Sequence, residues 1–231
     1  MDATILDEVA WQIDLLQLKQ QLGIKEEDSY ASEAEGMAAR AEAIGRPKAV
    51  YKASLIESRG EDHVVIEGRA FKSRVLAVNL EKVHRVFPFV ATCGVELEEW
   101  SSAFTSVLEK FWADAIKGLA LSASIVALVE HIKEQHHPGD VSMMNPGSIE
   151  SWSLSEQRTL FSILEAPEDS IGVELMESCF MKPNMSASGM WFPTEHHFEN
   201  CMLCPMENCP GRRAPHDKEL YDRRYKKDPR G

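Results

Sequence analysis

The chain has 231 residues, 44% of them hydrophobic and 27% charged, which is enough for one large domain or one domain with a terminal appendage. Its formal net charge of −12 argues against non-specific binding to nucleic acid or to anionic lipid. No uninterrupted apolar run reaches the roughly 20 residues of a membrane span. The acidic start MDATILDEVAWQIDLL lacks the basic opening of a signal peptide, so no membrane association and a cytoplasmic, reducing setting are expected.

Ile5, Val9, Ile13, Leu16 and Leu22 fall at helical spacing and Gly23 supplies a stop, which predicts a helix over 5–22. The alanine-rich stretch 29–44, closed by Gly45-Arg46-Pro47, predicts a second. Residues 48–57 and 63–67 are β-branched and roughly alternating. Arg59-Gly60-Glu61-Asp62 splits them, so a hairpin is expected. Strands are expected over 69–78 and 84–92, then helices over 95–109 and 111–135. The second of these is apolar nearly all round and reads as a core helix. Residues 136–151 read as a loop, with His136-His137 in an exposed turn. A helix over 154–165, capped by Ser153 or Ser155, and strands over 171–177 and 185–192 complete the pattern. Trp100, Trp112, Trp152 and Trp191 read as packing residues. Helices and strands come in blocks without internal repeats, which implies an α+β fold around a largely antiparallel sheet.

The chemistry concentrates near the C-terminus. Of the cysteines Cys93, Cys179, Cys201, Cys204 and Cys209, the last three lie in the run Cys201-Met-Leu-Cys204-Pro-Met-Glu-Asn-Cys209-Pro210. An odd number of cysteines in a reducing setting argues against a disulfide framework. Thiolates at this spacing suit a soft or borderline metal, and Pro205 and Pro210 stiffen the loop that carries them. A closed site needs a fourth ligand; Cys179 is the first choice and the pair His196 and His197 the second. The spacing leaves an iron–sulfur cluster and Zn²⁺ both open. Cys93, in an apolar junction, reads as a buried small residue. Arg212, Arg213, Lys218, Arg223, Arg224, Lys226, Lys227 and Arg230 make the tail basic, either as a solvated terminus or as a dock for an acidic partner. Glu130, one turn before Glu134, is either a carboxylate for a ligand amine or part of a solvated helix edge. No phosphate-binding glycine loop, nucleophile elbow or His-Glu-x-x-His motif is present, and no acid–base pair stands out.

Several stretches in series carry a family resemblance: Val90-Ala-Thr-Cys-Gly94-Val-Glu-Leu-Glu98, Asn145-Pro-Gly147, Trp152-Ser-Leu-Ser-Glu-Gln157, Ile171-Gly-Val-Glu-Leu-Met-Glu177-Ser178 and Pro183-Asn-Met-Ser186-Ala-Ser188-Gly189. Over about residues 85–192 the chain resembles the activation domain of cobalamin-dependent methionine synthase and its stand-alone relatives. The resemblance implies a C-shaped α+β domain over residues 1–195 around a twisted antiparallel sheet. Residues 196–231 would then form a Cys-rich, metal-binding segment with a basic tail. It also implies docking on a corrinoid, that is cobalamin-binding, protein and support for its reductive reactivation. In the family the domain binds S-adenosylmethionine. Here the family's Arg-x-x-Pro-Gly-Tyr stands as Met143-Met-Asn-Pro146-Gly147-Ser148, which keeps Pro146 and Gly147 but not the arginine or the tyrosine. The carboxylate expected on the core helix falls near Val126, with Glu130 one turn later. Loss of an arginine–carboxylate contact removes about 1.5–3 kcal/mol, so S-adenosylmethionine is not expected to be held in the family's manner. The expected ligands are therefore Pro146, Gly147 and Glu130 around any small molecule, and Cys201, Cys204, Cys209 and Cys179 around a metal. An accessory protein of corrinoid methyl transfer with a Cys-ligated iron–sulfur centre accounts for these features. A zinc-stabilised binding module and a retained S-adenosylmethionine-binding domain are the alternatives.

Overall fold

The computed structural model describes residues 2–209 and 211–226, so Pro210, Lys227 and Arg230 lie outside the described residues. At the centre is β6 (Arg85–Thr92), a nearly continuous apolar run, RVFPFVAT, with seven of its eight residues buried. Such a strand must be covered on both faces. One side chain set, Val86 and Val90, joins a core with α3 (Arg74–Asn79) and α6 (Gln157–Ile163). The alternate set, Phe87, Phe89 and Ala91, packs with Leu128 and Ile132 of α5 (Val107–His136). The period of two along a strand thus assigns each residue to a layer.

One edge of β6 pairs with β2 (Lys48–Tyr51) and then with β3 (Ser54–Arg59), which follow one another along it. The other edge pairs with β10 (Ser186–Pro193), in register Ser186 to Thr92 through Trp191 to Phe87. Outward from these lie β1 (Thr4–Leu6) on β2, β4 (His63–Ile66) and β5 (Arg69–Lys72) beyond β3, and β7 (Val141–Met144) on β10. All these pairings are antiparallel, and the eight strands make a curled half-barrel flanked by helices, as expected for the α+β class. A separate pair, β8 (Glu174–Leu175) and β9 (Met181–Lys182), forms a small hairpin. A further core gathers α1 (Leu15–Leu22), α2 (Ala31–Ile44), α4 (Val95–Ser102) and the first half of α5.

Several expectations need correction. The helix expected over 5–22 starts only at Leu15, because the Asp14 carboxylate accepts the N–H groups of Leu16 and Gln17 and fixes the N-terminus there. Ile5, taken as helical, pairs with Val50 at the sheet edge. The strand expected over 69–78 stops at Lys72, since Ser73 Oγ accepts from Leu76 N at 3.1 Å and caps α3. The expected loop 136–151 contains β7. The strand expected over 171–177 is reduced to β8, because Pro167 opens the short helix α7 (Pro167–Ile171), which Gly172 closes in the left-handed region at φ 74°. The helix over 95–109 ends at Ser102, and α5 runs 30 residues from Val107.

By length and composition α5 is long and apolar enough to cross a membrane, with a mean hydropathy of 1.5 over its most apolar window. It is not buried all round: Trp112, Ile116, Ala120, Ser124, Leu128 and Ile132 form an inward stripe while Val107, Phe111 and Val126 are exposed. Leu128 and Ile132 of the stripe pack on the sheet, and Trp112, Ile116 and Ala120 pack against α1, α2 and α4, in the manner of a core helix.

Candidate functional site

The chain beyond β10 is built into the fold. Phe198 N donates to Ser142 Oγ at 2.9 Å, Glu199 bridges Met143 of β7, and Phe198 packs in the core with Leu220 and Tyr225. The Tyr225 hydroxyl donates to Asn79 Oδ1 at 2.9 Å, and Arg74 Nε donates to the Tyr225 carbonyl at 3.0 Å. These contacts clamp both ends of the cysteine segment.

Within the segment, one side chain organises the loop. The Arg212 guanidinium donates to the carbonyls of Cys201, Ala214 and Cys204, each at 3.0 Å, and also to that of Met206. Arg212 N donates to the Cys209 carbonyl at 3.1 Å, and Cys204 N to that of Cys201 at 3.3 Å. Arg213 N donates to Cys201 Sγ at 3.4 Å. The arginine fork suits this task because its donors diverge in a plane while the loop offers diverging acceptors. The three cysteines are half-buried and free.

The thiols are nevertheless not drawn to one point: among the described residues no three His, Cys, Asp or Glu side chains converge as a group that could hold a metal ion. Cys179 does not join the loop. It sits in the β8–β9 turn at φ 65°, its N–H bonded to the Met176 carbonyl at 2.9 Å, on the wall of a cavity that none of the described residues among 196–213 lines. His196 lines a separate groove together with His84, Arg85 and His136. His197 Nε2 lies 3.5 Å from Glu199 Oε1, and Arg213 holds the other oxygen of Glu199 at 3.1 Å. Cys93 is fully buried, and burial pushes its thiol up to about 12, which keeps it protonated and inert.

Beside the cysteine segment lies the Pro146-Gly147 loop. Asn145 links the two: its Nδ2 donates to the Ser188 carbonyl at 2.8 Å and its Oδ1 accepts from Asn200 Nδ2 at 2.9 Å. Gly147 adopts φ 80°, a backbone conformation that favours glycine, and a Cβ there would press on the Leu154 side chain at 2.9 Å. Gly189 is needed for a different reason, since a Cβ would lie 2.5 Å from the Met144 carbonyl of the neighbouring strand. Pro146 is buried, Gly147 and Ser148 are exposed, and Met143 is buried opposite Trp191. Glu130 is exposed on α5 and lines neither the groove nor the cavity.

Sequence reasoning missed Arg212 and Gln157. Arg212 reads in the sequence as one more tail charge. Gln157 is buried at 5% exposure, its Nε2 bonded to Ser188 Oγ at 3.0 Å. Its place in the run Trp152 to Gln157 was the available signal.

No family model matches the chain, and no curated protein matches it. Among solved structures, the MetH reactivation domain bound to AdoHcy superposes with a TM-score of 0.64 at 15% identity, covering 87% of this chain and 82% of that one. The two share a fold.

Proposed function

We propose that the chain is an accessory protein of corrinoid methyl transfer, which docks on a cobalamin-binding protein and supports its reductive reactivation. The observation that carries the reading is the shared fold with the MetH reactivation domain over 87% of the chain, joined to the serial motifs between Val90 and Gly189.

The neighbouring structure holds AdoHcy, and the residues here do not suit that ligand. Its carboxylate calls for a cationic partner. Between Met143 and Trp152 there is no cationic side chain, and Met143 itself is buried against the sheet.

The cysteine loop offers a different chemistry. Cys201, Cys204 and Cys209 would hold the metal centre, with Arg212 and the Arg213 N–H fixing the loop around them. An iron–sulfur cluster there would supply a one-electron couple in the low range that cob(II)alamin reduction needs. Zn²⁺ in the same loop would instead make a binding module whose metal only fixes the tail.

Sedimentation velocity with a purified corrinoid protein in its cob(II)alamin state tests the docking. A complex at micromolar concentration is expected, and separate boundaries would remove the reading. In the same mixture a titanium(III) reductant should convert cob(II)alamin faster with the native chain than with Cys204→Ser; equal rates would exclude a redox role for the loop.

A further inference from the structure

Four of the chain's eight histidines, His84, His136, His137 and His196, line one groove of about 980 Å³. That volume lies in the range of small-molecule sites. Separate stretches build the groove: the turn between α3 and β6, the end of α5 with the loop after it, the chain just beyond β10, and Arg223 with Arg224.

The fixed charges on its walls come close to balance. Lys82, Arg85, Arg223 and Arg224 stand against Glu81, Asp140 and Glu195. Asp217 already holds Arg223 at 2.8 Å, and Arg224 lies over the Tyr225 ring at 5.6 Å. Among the described residues Lys82, Arg85 and the three carboxylates have no ion pair. The carbonyls of the last turn of α5 add partial negative charge. With neutral imidazoles the groove is therefore nearly neutral. Their protonation makes it positive, on a chain whose net charge is −12.

His136 is half-buried and the other three are exposed. The Tyr51 hydroxyl meets His136 Nε2 at 3.0 Å, and the Phe87 ring packs on the imidazole at 5.0 Å. Burial first, and then the charges of Arg85, His131 and His137, hold His136 below the usual imidazole range. An anion in the groove would offset those repulsions. Cations spread over separate walls favour a ligand with several linked negative charges, because a single small anion reaches one wall only. Guanidinium forks match the oxygens of phosphate.

We propose that this groove binds a small oligophosphate, taken up as His84, His136 and His137 protonate, with Arg85 and Arg224 as permanent cationic anchors. The site uses neither the cysteine loop nor a corrinoid partner, so it stands or falls apart from the function proposed above.

Inorganic tripolyphosphate, in buffer free of divalent cations, is the probe. Calorimetry on the full chain should show its affinity rising about tenfold or more between about pH 8 and about pH 6. Arg85→Gln should weaken binding at both ends of that range. The double variant His84→Gln, His137→Asn should keep the native affinity near pH 8 and lose most of the rise. These three side chains are exposed, and asparagine tolerates the φ of 45° at His137, so the fold is kept. Proton NMR of the His136 ring should show its titration moving to higher pH when the probe is bound. No binding at pH 6, an affinity indifferent to pH, an unshifted His136, or equal affinity for citrate would overturn the proposal.

Discussion

Arg212 shows how one residue can set the geometry of a site without supplying a ligand. Its fork gathers the carbonyls of Cys201, Cys204 and Met206, so it fixes the backbone of the loop in which a metal centre is proposed. Removing such an outer partner typically costs about 10- to 100-fold in metal affinity. Arg212→Ala should show that loss in competition with a chromophoric chelator, and Arg212→Lys should not rescue it, because an ammonium cannot span diverging acceptors. Unchanged affinity in both variants would deny the arginine this role. Cys93 makes the opposite case. Its thiol is raised from 9.0 to about 12, chiefly by burial. A raised pKa means that the unfolded chain ionises first, so this contribution to stability is whole below pH 9.0 and is lost as pH rises toward about 12. Cys93→Ala should flatten the fall in stability over that window, measured by urea unfolding at stepped pH; an unchanged slope would contradict the assignment.

Among the elements, legibility followed context. β6, β10 and α2 were readable because their apolar residues run long enough to show a period. β7 was not, since four residues between Asp140 and Asn145 carry no period of their own and become a strand only by pairing with β10. α1 was misplaced because Ile5 and Val9 fit a helical count, while Asp14 decides where the helix begins. In the candidate site the cysteine spacing was visible, whereas the fourth ligand was not: Cys179 lies on the wall of a different cavity, a fact of tertiary packing. The C-terminal segment makes its own prediction. Phe198 is 2% exposed in the main core, and Phe198→Ala should cost about 3–5 kcal/mol by denaturant unfolding. Tyr225→Phe, which leaves the buried Asn79 Oδ1 without its donor, should cost about 1–3 kcal/mol. Near-neutral values for both would mean that the tail is not anchored as described.

For the whole molecule, the α+β class was legible in the blocks of helices and strands, whereas the particular fold was legible only through the series of motifs, because each motif alone is weak and 15% identity is far below what pairwise comparison detects by eye. β2 and β3 share one edge of β6 and carry different outer strands, a branching that no local pattern reports. The central proposal is that the cysteine loop holds a metal centre. Iron, acid-labile sulfide and zinc assays on the chain purified without oxygen address this most directly. Iron and sulfide together in the native chain, and their loss in Cys201→Ser, Cys204→Ser and Cys209→Ser, are the predicted result. A chain with neither iron nor sulfide, unchanged by those substitutions, would contradict it.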